Sequence, residues 1–356
     1  MHILDDIRVY AQFDPEDIGF GIDRLAEQVR MAWHDAQEVA VPKAYGKTDH
    51  ILVVGMGGSA LGPQILQDIF QKKSKIPFSV VHDYVVPAWV NTNTLVILSS
   101  YSGTTEEVLS AADDARKKKA KLLVIAAGGP LAAWAKKHNV PAYIFTPGDL
   151  AKQPRLGVGF SFAGIAGLLA RAGINVIKEE DVRRAISAMG EVTDLCASDV
   201  AFDENPAKQV AAAIADKHVL VIGAEHLVGN AHVLANQINE TGKQFSTYFV
   251  LPELNHHLLE SFSHPKTFAK NTAMLFLHSS LYHPRTRKRF TVTADMAEER
   301  EMDVVDYVAR GKDLLEESCE VLQFSSYVSW YLAMMNKEET TSIPYVDKFK
   351  ALMGKT

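Results

Sequence analysis

The sequence predicts an α/β protein in which one chain carries two doubly wound parallel sheets, with helical segments at its N- and C-terminal ends. Three observations predict it. Between His50 and Thr146 short apolar runs alternate with helical patterns, as in parallel strands joined by crossover helices. The run over residues 51–54 is continuously apolar and largely β-branched, as a strand buried on both faces should be, and it breaks off into Gly55-Met56-Gly57-Gly58-Ser59. The stretch KHVLVIGAEHLVG from Lys217 echoes DHILVVGMGGSALG from Asp49, with His218 and His50 each five residues before a glycine, Gly223 and Gly55. The echo reads as a degenerate internal duplication.

In chain order, Ile22, Leu25, Val29 and Trp33 recur at helical spacing and predict a helical arm up to about Lys47 that packs on the first sheet. Strands follow near Ile51, Phe78, Leu95, Leu122 and Ala142, with helices starting near Ala60, Thr105 and Leu131. Residues 146–160 have several breakers and little periodicity, which places the domain crossover there and gives domains 1–155 and 156–356. Beyond it the pattern predicts helices over 160–169, 182–195, 207–215 and 230–241. Strands end near Val250 and span 273–278, and helices cover 313–335 and the terminal 343–353.

At 356 residues, 47% apolar and 22% charged, the chain has the composition of a soluble globular protein with room for two domains. A net charge of −6 argues against nucleic acid as a partner, because polyanion binding needs a basic face. Cys196 and Cys319 lack a CxxC or histidine-spaced partner, so both are expected to be packing residues in a reducing cytoplasm, without disulfide or metal. Asp5, Asp6, Asp14, Glu16 and Asp17 make a secretory leader unexpected in the first twenty residues, and no run of eighteen apolar residues predicts a membrane span.

The chemistry concentrates at the strand ends. Gly55, Gly57 and Gly58 permit positive φ and close backbone approach, and Ser59 opens a helix, which makes an anion site at a helix N-terminus. The second stretch, VILSSYSGTT over 96–105, repeats the design with hydroxyls: Ser100, Ser102, Thr104 and Thr105 precede a helix starting near Glu106. Alone, GMGGS also admits a dinucleotide turn with Ala60 as the third small residue. The position where an acidic ribose ligand belongs, however, falls among Lys72, Lys73 and Lys75. No Gly-Lys-Ser/Thr follows, which excludes a Walker loop, and the hydroxyl-rich second turn favours a monophosphate.

Other candidates are ambiguous from the residues alone. Arg155 after Pro154 fits a solvated cation or a site residue. Glu240 stands near the Gly that closes its helix, where the helix dipole disfavours an acid, and fits a solvated carboxylate or a working one. His256 and His257 are adjacent and face different ways, so at most one serves directly, and no third ligand at suitable spacing supports a metal. Arg285, Arg287, Lys288 and Arg289 read as a solvated face, and Lys350 lies beside a stripe of Val346, Phe349 and Met353.

GMGGSALG followed by SSYSGTTEE resembles the sugar isomerase (SIS) domain, and SYSGTTEE is its most specific signature. The order of Pro154-Arg155, QINE ending at Glu240, PELNHHLLE around His256, and Ile343-Pro344 leading to Lys350 is similar to the bifunctional phosphoglucose/phosphomannose isomerases. The resemblance covers nearly the whole chain. It implies two SIS-type domains and an aldose-ketose isomerase interconverting glucose 6-phosphate and mannose 6-phosphate with fructose 6-phosphate. Gly57, Gly58, Ser59, Ser100, Ser102 and Thr105 would hold the phosphate, and Glu240 would be the general base. His256, helped by Lys350, would open the ring; Lys348 competes for the lysine's place, because the register of so short a motif is not fixed. Arg155 would stabilise the enediolate charge. The resemblance further implies a cytoplasmic homodimer with shared active sites, no metal and no cofactor. A threonine near the terminal helix, Thr340 or Thr341, would tolerate either configuration at C2, and Thr104 stands where relatives often have Asn. The main rival is a non-catalytic sugar-phosphate-binding SIS regulator, which keeps the phosphate turns and needs no base; no helix-turn-helix pattern accompanies it here.

Overall fold

The computed structural model describes residues 2–354. The chain forms two compact units, Arg24–Ser187 and the pair of stretches Met1–Asp23 with Ala188–Thr356. Two short helices, α1 (Ile7–Phe13) and α2 (Ile18–Asp23), belong to the second of these.

The unit Arg24–Ser187 begins with α3 (Leu25–Gln37), followed by β1 (His50–Val54), α4 (Gly58–Lys73), β2 (Phe78–Val81) and β3 (Thr94–Ser100). Then come α5 (Glu106–Lys117), β4 (Lys121–Ala126), α6 (Gly129–His138), β5 (Ala142–Ile144) and α7 (Val158–Arg171). The five strands are parallel in the order β2-β1-β3-β4-β5. Every residue of β3 is buried, as a central strand covered on both faces requires. The strand order reverses between β1 and β3, and such a switch point opens a crevice at the carboxyl ends of the two strands. Both glycine- and hydroxyl-rich turns follow these two strands.

Helix α7 is buried at every residue from Val158 to Leu169 and packs on α3. A Cβ on Gly167 would lie 2.8 Å from the Trp33 carbonyl oxygen and 2.9 Å from the Ala36 Cβ, so glycine sets how closely these helices approach. This packing shifts the division expected at 155/156. Residues 158–171 belong with the first sheet, and the units part inside the next helix, α8 (Glu179–Cys196), after Ser187. The N-terminal arm is likewise divided, since only the part from Arg24 onward joins the first sheet's unit.

The other unit continues through α9 (Pro206–Ile214), β6 (His218–Ala224), α10 (Val228–Glu240), β7 (Ser246–Leu251) and α11 (Leu254–His257). It ends with β8 (Thr272–His278), α12 (Pro284–Glu298), β9 (Asp303–Val308), α13 (Leu314–Asn336) and α14 (Pro344–Met353). The parallel order β7-β6-β8-β9 repeats that of the first sheet without its last strand. The duplication extends to the backbone: Glu225, which aligns with Gly57, has the same φ of +49°. Strand β9 escapes the sequence reading because it is a largely exposed edge, where Asp303 and Asp306 interrupt the apolar pattern.

Helix α13 is buried from Leu315 to Met334 and is the spine of its unit. Asp14, 7% exposed, ties the N-terminal helices to it. The Asp14 carboxylate accepts from the backbone N–H groups of Ile18 and Gly19, from Thr340 Oγ1 at 2.8 Å and from Trp330 Nε1 at 2.9 Å. Removing a buried acceptor leaves its donors desolvated and unpaired. Asp14→Ala is therefore expected to cost about 3 kcal/mol, read from urea unfolding.

Both cysteines are buried and free. Burial pushes the Cys196 thiol up to about 11 and the Cys319 thiol higher still. Because the thiolate is the reactive form, neither should be alkylated in the native protein at about pH 8, while both should react in denaturant, as mass spectrometry would show.

Candidate active site

The site is built at the carboxyl ends of β1 and β3. Strand β1 runs out at Val54, and Gly55 is held by its neighbours: its N–H donates to the Val81 carbonyl at 3.3 Å, and the His82 ring nitrogen Nδ1 bonds the Gly55 carbonyl at 2.7 Å. Gly57 then turns the chain at φ +49° and ψ −131°, a conformation open to glycine and costly for other residues, and α4 starts at Gly58. A Cβ on Gly58 would lie 2.5 Å from the Pro154 carbonyl oxygen. The Pro154-Arg155 segment is thus seated against this turn because the turn has no side chain there.

Ser59 joins the two turns. Its buried Oγ accepts the Tyr101 N–H at 2.7 Å, and its carbonyl accepts Ser99 Oγ at 2.8 Å. In the second turn, the Ser100 and Thr105 hydroxyls are 2.7 Å apart, those of Ser102 and Thr104 are 2.8 Å apart, and Ser100 Oγ also accepts the Gly103 N–H at 3.1 Å. Helix α5 starts behind this ring of hydroxyls, with Thr105 at its N-cap, so its first amides face the same rim.

A third loop, after β4, joins the site and was not read from the sequence. Gly103, Gly128 and Gly129 all have positive φ. A Cβ on Gly103 would lie 2.0 Å from the Gly128 carbonyl oxygen, and one on Gly129 would lie 2.4 Å from that of Ser102. Ala127 N–H donates to the Tyr101 carbonyl at 2.8 Å and Leu131 N–H to that of Gly103 at 2.9 Å. The signal was present as Gly128-Gly129-Pro130 at a strand-to-helix junction, but carried no hydroxyl to mark it.

Arg155 is 2% exposed in the short turn Pro154–Leu156, so it is a fixed cation rather than a solvated one. Tyr101 donates its hydroxyl to the Ala151 carbonyl, and burial pushes its phenol up to about 12, so it remains a donor at neutral pH. A cavity of about 10 Å³ lies beneath the turns, lined in part by Gly58, Ser59, Ser99, Tyr101, Pro154 and Gly157. That is room for about one water.

The corresponding turn of the second sheet is filled. Glu225 Oε1 accepts the His283 N–H at 2.8 Å, and His226, buried, bonds Glu317 Oε2 through Nε2 at 2.7 Å. Side chains occupy the place where the first copy leaves backbone exposed.

The remaining sequence candidates stand on three elements of the unit that contains this second sheet. Glu240, half-buried, is the last residue of α10. His256 is exposed on α11, whose Asn255 is held by Arg289 at 3.0 Å and Thr293 at 2.8 Å. Arg289 therefore departs from the solvated face expected of it. Lys350 and Lys348 are both exposed on α14, which buries no residue. Thr340 and Thr341 are buried, bonded to Asp14 and Glu339. Among the described residues no group of three or more His, Cys, Asp or Glu is placed to hold a metal ion.

Joined glycine and hydroxyl turns at the switch point of a doubly wound sheet define an α/β protein with an anion-binding rim. Residues 45–144 match the SIS domain, and residues 203–353 match the bacterial phospho-glucose isomerase C-terminal SIS domain. A bifunctional phosphoglucose/phosphomannose isomerase of Caldicellulosiruptor bescii is 31% identical over 92% of this chain and 96% of its own. One of Thermoplasma volcanium is 30% identical over 86% and 91%. The chain belongs to the bifunctional phosphoglucose/phosphomannose isomerase family. Among solved structures, a hypothetical protein of Thermus thermophilus superposes with a TM-score of 0.73 at 17% identity, covering 98% of this chain and 92% of its own. A putative phosphosugar isomerase of Clostridium difficile gives 0.71 at 13%, over 95% and 98%.

Gly103→Ala would drive the second and third loops apart. It is expected to cost about 2–3 kcal/mol in urea unfolding, more than an exposed helix position would.

Proposed function

We propose that this protein interconverts glucose 6-phosphate and mannose 6-phosphate with fructose 6-phosphate. The observation that carries the substrate class is the Ser59–Tyr101 bond, which joins two anion-holding turns into one rim. The reaction follows from membership of a family whose named members are bifunctional isomerases over nearly the full chain.

Gly57 and Gly58 would hold the phosphate with backbone N–H groups, and Ser59, Ser100, Ser102 and Thr105 with hydroxyls. His256, helped by Lys350, would protonate the ring oxygen and open the sugar. Glu240 would then move the proton between C1 and C2, taking it from C2 of either aldose and returning it to C1 of the enediolate. Arg155, as a fixed planar cation, would stabilise the oxyanion that forms. The chemistry is internal to the sugar and calls for neither metal nor nicotinamide. We further propose a cytoplasmic homodimer in which the histidine is furnished by the neighbouring subunit. A non-catalytic regulator is the weaker reading, because the full-length relatives carry an enzyme's name.

Fructose 6-phosphate incubated with the purified protein should yield both glucose 6-phosphate and mannose 6-phosphate, and Glu240→Gln should lower both rates about 10³-fold. Glucose product alone would remove the mannose activity. Saturable binding without turnover would sink the enzyme reading and promote the regulator.

A further inference from the structure

The end of α10 is held by a lysine that the sequence reading passed over. Lys243 Nζ donates to the carbonyl of Glu240 at 2.7 Å and to that of Ser342 at 2.5 Å. The first contact satisfies one of the carbonyls that a helix leaves unpaired at its C-terminus and places a cation where the helix dipole favours one. The second reaches 99 residues along the chain, to the position just before Ile343, the N-cap of α14. One ammonium group therefore fixes both the helix end that presents Glu240 and the start of the helix that carries Lys350.

Two further observations give this bridge weight. Helix α14 buries none of its residues, so its place in this protomer is set by the segment that leads into it. That segment is anchored at Thr340, whose N–H donates to the Phe13 carbonyl at 3.0 Å, and at Ser342 through Lys243. The α10 end is also gripped from α13, where Asn336 Nδ2 donates to the Gly242 carbonyl at 2.8 Å. Asn336 holds the turn itself, at the Gly242 carbonyl and at Gln244 Oε1, whereas Lys243 links it to the terminal segment.

We infer that Lys243 is a positioning residue for the isomerisation, coupling the placement of Glu240 to that of the terminal helix. The inference rests on the reading of Glu240 as the base. Lys243 touches neither substrate nor the reacting carbons in this account; it acts through the two carbonyls it holds. Displacement of a catalytic group by about 1 Å can cost about 100-fold in rate, and the loss falls on the chemical step rather than on substrate capture.

The backbone supplies a clean variant. Lys243 has φ +56°, a left-handed conformation that glycine adopts without strain. Lys243→Gly thus deletes the ammonium and relaxes the turn, so fold stability should be kept. With fructose 6-phosphate as substrate, Lys243→Gly is expected to lower kcat about 10- to 100-fold with KM within about twofold, and Lys243→Arg, which can still donate twice, to recover much of the loss. Hydrogen exchange on the same variants, without substrate, should quicken at residues 347–350, whose amides make the first helical bonds of α14, in Lys243→Gly but not in Lys243→Arg. An unchanged kcat in Lys243→Gly with active wild type overturns the positioning role alone, as does unchanged exchange at 347–350, which removes the bridge. Wild type without turnover overturns the isomerase reading and takes the positioning role with it.

Discussion

A hydrogen bond from the Tyr101 backbone N–H to the side-chain Oγ of Ser59 sets the geometry on which the candidate site depends. Parallel strands hold β1 and β3 side by side, but their pairing ends at Val54 and Leu98, and beyond these nothing in the ladder fixes how the two turns face each other. The Ser59 hydroxyl takes over at that point. It can do so only because the chain turns at Gly57 with positive φ and because Gly58, having no side chain, leaves the Pro154 carbonyl room to close behind it. A larger residue at either place would move Ser59 and with it the spacing of the rim. The third loop extends the same logic. Gly103 and Gly129 give up side chains so that two loop backbones can touch, and the hydroxyls of Ser100, Ser102, Thr104 and Thr105 project on the remaining side.

The duplication shows how little sequence change abolishes such a site. Glu225 keeps the left-handed backbone that Gly57 has, and a Cβ on Gly223 would lie 2.8 Å from the Leu227 carbonyl, much as one on Gly55 would lie 3.0 Å from that of Ser59. The scaffold is therefore retained at the cost of a non-glycine in a strained region. The side chains differ in purpose: Glu225 binds a backbone N–H of the loop after β8, and His226 pairs with Glu317 on the spine helix. An anion cradle has become a packing joint, which stabilises its unit rather than receiving a ligand.

Most of this was legible where a local rule acts. Buried strands announce themselves as unbroken apolar runs, and the two turns announce themselves by glycine and hydroxyl composition, so the first sheet, the inner strands of the second and the two turns are legible in the sequence, while the exposed edge β9 is not. What was illegible depends on partners distant in the chain. The apolar helix 158–171 reads as the start of a second domain because its periodicity cannot say which sheet it covers; packing against Trp33 and Ala36 decides that. Gly128-Gly129 carries no local mark of a role, which comes from Gly103 lying against it. Arg289 reads as part of a solvated patch, since nothing in its neighbourhood announces Asn255. Glu240 was marked by a local conflict, an acid at a helix C-terminus, and the cation that answers the conflict, Lys243, stands three residues later.

That pairing is a general way to place a carboxylate where a helix resists it. An acid on the last turn of α10 meets the negative end of the helix dipole, and the half-buried setting strengthens the repulsion by limiting solvent screening. Moving the acid inward along the helix would remove the conflict and also remove the acid from the open end. Keeping it at the end and binding the adjacent carbonyl with a lysine retains the exposure while offsetting the dipole. The same lysine also holds the Ser342 carbonyl, so one ammonium group serves both the helix end and the segment that leads into α14.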